Sequence, residues 1–409
     1  MTLVALAWRS LRNRRATALV CIATIALGVA VTIAVERIRA DVRTSFAGTV
    51  SGIDLIVGAR SGPLNLLLYS VFHIGEATND VDRASLDAVA SWPEVAWAVP
   101  VSLGDSHRGF RVVGTTGEFF RRYCYGARRE LAFAQGRAFG STFEAVVGAD
   151  VAQRLGYAPG HAIVLTHGLG GFIDHADSPF RVVGVLARTG TPVDAGVFVD
   201  LTAIDAIHRD WSSGAYVPDS NTAATRATVT AFFVGLNSRA ATFAVQRRIN
   251  EYSGEPLLAI LPGVALQGLW RLVGVAENAL RIVGALVVAT GLAGMLGVLL
   301  AGLGERRREM AILRALGAGA GTVFALLVVE AVGLATIGSL LGLALACATL
   351  AAASDAVMAQ YGLQLGATWP TSHEWLLLGA VVAAAALAGL VPAVVACRNS
   401  LADGLGLRV

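Results

Sequence analysis

Residues 16–35 read ATALVCIATIALGVAVTIAV, twenty consecutive residues without a charge. A bilayer core of about 30 Å takes roughly 20 residues of helix to cross. The run is too long for the apolar core of a signal peptide, and no small-residue cleavage site follows it. Glu36 and Arg37 continue in helical spacing, so the stretch reads as an uncleaved span. Three more apolar stretches follow, at 282–303, 324–353 and 375–397, while 36–281 has the mixed composition of a globular domain. The third holds thirty residues, in a span bounded at 322–353, which implies tilt or a helix that protrudes from the membrane. The expected fold is therefore a membrane protein: four transmembrane helices, with an α+β extracytoplasmic domain inserted between the first and second.

Composition agrees. The chain has 409 residues, 55% hydrophobic and 15% charged, with a mean hydropathy of +0.63, which is too apolar for a soluble enzyme. It contains no lysine, so a phosphate-cradling GxxxxGK[ST] loop is excluded and any nucleotide hydrolysis belongs to a partner. A net charge of +3 gives no reason to expect nucleic acid. Neither GxSxG nor HExxH occurs, and Cys124 has no identifiable activating partner, so a membrane enzyme is disfavoured. With Cys21, Cys347 and Cys397 in or beside apolar spans, the domain has no disulfide framework.

Arginine placement sets the orientation. The short segments 1–15, 304–321 and 398–409 carry ten arginines, against five flanking the spans on the other side. Both termini and the 304–321 loop are thus expected in the cytoplasm. The 36–281 domain and the 354–374 loop are expected outside, in the periplasm of a bacterium whose inner membrane holds the chain.

Within the domain, residues 36–48 and 264–281 run into the first and second spans without a breaker and predict helical stalk ends. Between them, strands are expected at Ile53–Val57, Glu94–Val101, Phe110–Gly114, Ala145–Gly148, Ala162–Thr166, Phe180–Ala187, Val197–Val199 and Ala227–Leu236. Helices are expected at Asp82–Ser91, Ala149–Leu155, Leu201–Ile207 and Arg239–Tyr252. A candidate subdomain occupies about 115–225, where strands are shortest and glycine and proline most frequent. The apolar run SGPLNLLLYSVFHI at 61–74 is too short to span a membrane. It reads either as a core element started by Gly62-Pro63, or as an exposed element whose Leu67 and Phe72 touch lipid or an apolar cargo.

Residues 305–317, ERRREMAILRALG, carry a charged face and, on another face, Ile312, Leu313 and Leu316, with Gly317 placed to end the helix. Composition alone leaves two readings open, a helix lying on anionic lipid or one docked on a cytoplasmic protein. The run resembles the coupling-helix signature of FtsX/MacB/LolCE-type permeases, the type VII ABC transporter superfamily. LAWRSLRNRRATAL before the first span, the order of one span, a large domain and three spans, Glu330 in VVEAVGLATIGSLLGLALA, and PAVVACR from Pro392 to Arg398 are similar to the same family.

That resemblance implies a dimer of permease chains on a dimer of ABC ATPases that bind ATP and Mg, while this chain itself carries no cofactor. ATPase closure would be transmitted through the spans to the domain outside. Glu305, Arg308, Glu309, Ile312, Leu313 and Leu316 would meet a groove on the ATPase, and Trp8, Leu11 and Arg12 would ride on the inner leaflet or the ATPase edge. A homodimer is slightly favoured over a heterodimer, since one chain holds the full layout. Cargo such as lipoprotein, lipid or an efflux substrate, passed with or without a periplasmic adaptor, is one expectation. Activation of a periplasmic hydrolase or sensor is the alternative.

Glu330 is a carboxylate inside a span, which costs at least about 2.5 kcal/mol and usually has a purpose. Pairing with loop arginines and hydrogen bonding in a dimer interface are both open. Six of the seven histidines fall in the domain, and His167, Asp174, His175 and Asp177 lie close together in sequence as a weak metal-ligand candidate. Two stretches, IVGARSGPLNLLLYSVFHI and FRVVGVLARTGTPVDAGVFVDL, resemble one branch of these permeases, for which metal-homeostasis-linked transport is a further alternative.

Overall fold

The computed structural model describes residues 15–168, 175, 177–208, 211–212, 215–216, 228–315, 318–361 and 369–402. The chain forms two compact units. One comprises residues 1–40, 274–355 and 365–409, and the other residues 41–273 and 356–364.

Among the described residues, the first unit is built from the larger parts of four long helices, Arg15–Gly48, Pro262–Ala315, Ala320–Tyr361 and Ser372–Ala402, each with a window apolar and long enough to cross a membrane. Their length follows from sequence: leucine and alanine dominate, and threonines such as Thr32, Thr290 and Thr336 bond back to the carbonyl four residues earlier, which leaves the helix continuous. Ile25, Val29, Ile33, Met295, Leu334, Ala335, Val381 and Ala385 form the buried centre. Leu19, Leu27, Leu286, Leu376 and Leu387 remain exposed on the outside, an apolar surface suited to lipid and not to water. The third helix has 42 residues, about 63 Å at 1.5 Å per residue, so it outruns a bilayer core. The segment 354–374, expected as a loop, is helical to Tyr361.

Small residues let the first and third helices approach. A Cβ at Gly342 would lie 2.6 Å from the Ala26 carbonyl oxygen and 2.8 Å from Val29 Cβ, whereas one at Gly333 would meet nothing within 4 Å. Gly342→Leu is therefore expected to force the two helices apart at a cost of about 1–3 kcal/mol. It should lower the melting temperature of the detergent-solubilised protein, while Gly333→Leu should leave it nearly unchanged. Equal melting of the two variants would contradict this packing.

The second unit is α+β. Its main sheet has eleven strands, nine of them in the order Leu257–Ile260, Leu55–Ala59, Ala231–Leu236, Val95–His107, Phe110–Thr115, Gly196–Asp200, Glu144–Val147, Phe180–Leu186 and Phe133–Gly136. Pairing is antiparallel except for two parallel neighbours, Gly196–Asp200 with Phe110–Thr115 and Phe180–Leu186 with Glu144–Val147. The side-chain period of two sends Leu55 and Val57 to one face and Ile56 to the other, and likewise Phe232 and Val234 against Ala231 and Phe233. Both faces are covered, which is why these strands read as continuous apolar runs without alternation. Helices Arg83–Ala90 and Thr242–Asn250 supply Leu86, Val89, Val245 and Ile249 to one face.

The candidate subdomain at 115–225 does not separate from this unit. The thirteen-residue strand Val95–His107 pairs with Ala231–Leu236 through its first half and with Phe110–Thr115 through its second, so one hydrogen-bonded sheet runs across both regions. A second core, with Val112, Val147, Ile163, Phe180, Val182 and Val197, forms under the far half.

Residues 61–74 resolve as the helix Pro63–Phe72, with Gly62 as N-cap, Pro63 in its first turn and His73 closing it in the left-handed region at φ 56°. Leu67 is fully buried and Phe72 is 6% exposed. Phe72 stacks on Phe46 with ring centroids 4.5 Å apart. The helix therefore belongs to the domain core, and Leu67 and Phe72 offer no surface to lipid or cargo. Six of its ten residues, Leu66, Leu67, Tyr69, Ser70, Val71 and Phe72, are buried in the domain, which removes their apolar surface from water without a membrane.

Candidate functional site

The 305–315 segment is helical and continues the second long helix without a break, Pro262 to Ala315. It is not a separate short helix: no proline interrupts LAGLGERRREM, and isolated glycines such as Gly302 and Gly304 are tolerated inside a helix at about 1 kcal/mol each. Glu305, Arg308, Glu309, Ile312 and Leu313 lie on this terminal part, and Leu316 lies outside the described residues, as do Trp8, Leu11 and Arg12. Glu330 is 1% exposed in the third long helix.

At the opposite end of the spans, sequence reading missed a polar lock. Arg37, in the last third of the first long helix, meets Glu374, in the first turn of the fourth, with Nε–Oε1 at 2.6 Å and Nη2–Oε2 at 2.9 Å. Their side chains are only 7% and 5% exposed. Glu374 also accepts from the Thr371 amide at 3.0 Å, while its own amide reaches Thr371 Oγ1 at 3.4 Å. This is the reciprocal capping box of a T-x-x-E sequence, so Thr371-Ser372-His373-Glu374 signals the helix start. No local signal reveals its partner 337 positions away. Nearby, Arg39 joins Glu36 at 2.8 Å and Glu277 at 3.0 Å, and Arg281 reaches Glu36 at 3.3 Å, tying the first helix to the second.

In the domain, three histidines and an aspartate converge. The strand Val95–His107 bulges between Leu103 and Ser106, and a bulge redirects the side chain it carries. Asp105 sits there, 2% exposed. His167, on the short strand Thr166–His167, is its direct cross-strand neighbour. His175 is held by its amide on the Leu165 carbonyl at 2.9 Å. His208 caps the C-terminus of the helix Leu201–Ile207, its Nδ1 2.9 Å from the Ile204 carbonyl oxygen. One ligand-type atom from each of the four lies within 4.8 Å of the others. Burial raises the Asp105 pKa, but contact with His167 and His208 outweighs it and holds the group at about 2, a carboxylate at neutral pH.

Of the sequence-level metal candidates, His167 and His175 are therefore brought together. Asp177 is exposed and outside the group, and Asp174 lies outside the described residues. Asp105 and His208 take the places given to those acids, because strand register and a helix end, not proximity in sequence, decide what meets.

Four membrane-length helices with an α+β domain inserted after the first define a multi-pass permease architecture with an extracytoplasmic domain. Residues 18–252 match the MacB-like periplasmic core domain, and residues 281–401 match the FtsX-like permease C-terminal region. The chain belongs to the FtsX/MacB-type permeases of ABC transporters, the type VII class. Permeases of this family are generally non-catalytic subunits that work with an ABC ATPase and often with a second permease. No curated protein matches the chain. Among solved structures, the periplasmic region of MacB from Actinobacillus actinomycetemcomitans is similar over 55% of this chain and 97% of its own, at 11% identity and a TM-score of 0.35. The extracellular domain of the noncanonic ABC-type transporter YknZ from Gram-positive bacteria is similar over 51% and 98%, at 12% identity and a TM-score of 0.31.

Proposed function

We propose that this chain transmits the ATP-driven closure of a cytoplasmic ABC ATPase dimer, which binds the ATP and Mg, to its domain outside the inner membrane. There it extracts or exports an amphiphilic cargo such as a lipoprotein, lipid or efflux substrate. Both termini and the 304–321 loop then face the cytoplasm, and two permease chains share the ATPase pair. The observation that carries this reading is the single helix Pro262–Ala315, which joins the charged and apolar 305–315 segment directly to a membrane span. A displacement at such a helix end is passed along the helix and not absorbed in a loop.

The test is affinity purification from native membranes in mild detergent, with the wild-type chain and with Leu313→Asp. A charge on the apolar face should abolish recovery of the ATPase, since burying an unpaired carboxylate in the groove costs several kcal/mol. Equal ATPase recovery with the variant would remove the coupling role. Inactivating the ATPase should leave cargo accumulated in the inner membrane; a periplasmic hydrolase left inactive, with no accumulated cargo, would favour a regulatory role instead.

A further inference from the structure

The geometry points to a binding site for one divalent transition-metal ion of the zinc class, held by Asp105, His167, His175 and His208. Nothing in the coupling role requires it, and it stands on the domain alone.

His167 Nδ1 is 3.0 Å from His208 Nε2, and each of these nitrogens is 3.3 Å from Asp105 Oδ1. Four ligands at about 2.0–2.1 Å around a tetrahedral zinc are spaced about 3.3–3.4 Å from one another. Three donor atoms thus already outline one face of such a tetrahedron, and a donor of His175 lies within 4.8 Å of all three. The imidazole planes cross at 65°, 80° and 83° and do not stack, while one ligand-type nitrogen of each ring lies within the 4.8 Å group.

A carbonyl can only accept, so the 2.9 Å contact from His208 Nδ1 to Ile204 O places the proton on Nδ1. In the neutral ring Nε2 then carries the lone pair and accepts from His167 Nδ1 at 3.0 Å, a proton that a bound metal ion would replace; backbone oxygens orient metal-ligating histidines in this way. Asp105 Oδ1 is buried without a well-formed hydrogen bond. His107, two residues along the same strand, is the contrast. Its two nitrogens are spent on Val164 O at 2.6 Å and Tyr157 Oη at 2.9 Å, as expected of a histidine that only supports the fold.

Access and selectivity follow. A pocket lined by Asp80, Ser102, Asp105, His167, Asp205 and His208 adjoins the cluster and gives it a route to solvent. His167 is the most open of the four, its side chain 37% exposed. Three imidazoles and one carboxylate, with no sulfur, suit zinc and its neighbours and disfavour magnesium and calcium. Four protein ligands close the coordination sphere, which makes the site structural or sensory and not hydrolytic. Metal binding would pin a strand bulge, a short strand, the His175 segment and a helix end to one point.

The experiment uses the full chain in detergent, stripped with a chelator and titrated with zinc against a chromophoric competitor, then with magnesium. One zinc per chain, absorption spectra with only nitrogen and oxygen ligands at about 2.0–2.1 Å, and no comparable magnesium binding are expected. His208→Ala and His167→Ala should each weaken zinc by more than about 100-fold, beyond what loss of a supporting contact costs, and His161→Ala should not. His167→Ala decides the matter if the buried variant misfolds, and metal-free melting curves report on folding. Absence of stoichiometric zinc, wild-type affinity in a folded His167→Ala, or sulfur in the coordination shell would overturn the site.

Discussion

Arg37→Ala and Glu374→Gln are each expected to destabilise the membrane unit by about 3–5 kcal/mol, because either change leaves one charge of a buried pair without its partner. The pair is two-pronged, at 2.6 and 2.9 Å, with both side chains under a tenth exposed. Glu374 has a second task, closing the capping box with Thr371, so its loss also frays the start of the fourth helix. A double change to Arg37→Leu with Glu374→Leu should recover much of the loss, since a buried ion pair replaced by apolar side chains is often neutral. Thermal unfolding of the purified protein in detergent reads all three. If either single variant melts with the wild type, the pair does not hold the helices. If the double variant is as unstable as the sum of the singles, the two residues act separately.

This lock also shows where sequence reading stops. The spans were legible because twenty uncharged residues have few other uses, and the helices Ala149–Leu155 and Leu201–Ile207 were legible to the residue because Gly148 and Asp200 mark their starts. Strands such as Phe180–Leu186 announced themselves as apolar runs. Phe133–Gly136 did not, since FAQG is mostly exposed and becomes a strand only by pairing with Phe180–Leu186 at the sheet edge. Leu257–Ile260 was hidden in the approach to the second long helix and is fixed by its partner Leu55–Ala59. The histidine cluster divides the same way. His167 and His175 are near in sequence, but Asp105 arrives through a bulge and a cross-strand register, and His208 through a helix cap. Long-range register leaves no mark in any local window.

Asp194→Ala is expected to be among the most damaging single changes in the extracytoplasmic domain. Asp194 is fully buried, and burial raises its carboxyl pKa against the pull of the donors around it. Those donors are the Thr189 amide at 2.9 Å, the Thr189 hydroxyl at 2.9 Å and the Gly190 amide at 2.7 Å. Each donor left without an acceptor costs about 1–3 kcal/mol, so alanine should remove several kcal/mol from a domain with a marginal total. The surroundings cannot collapse to compensate. A Cβ on Gly148 would already lie 2.3 Å from the carbonyl oxygens of Val193 and Asp194, so backbone fills one side of the turn, and the Gly148 amide is tied to Gly196 at 2.9 Å. Gly148→Ala should therefore reproduce much of the same loss from the other side by pushing the 192–195 turn away. Because both changes act on one turn, the double variant should lose less than the sum of the two. Strict additivity in thermal melts would mean that the turn and the strand end are stabilised independently, and that Asp194 is not what joins them.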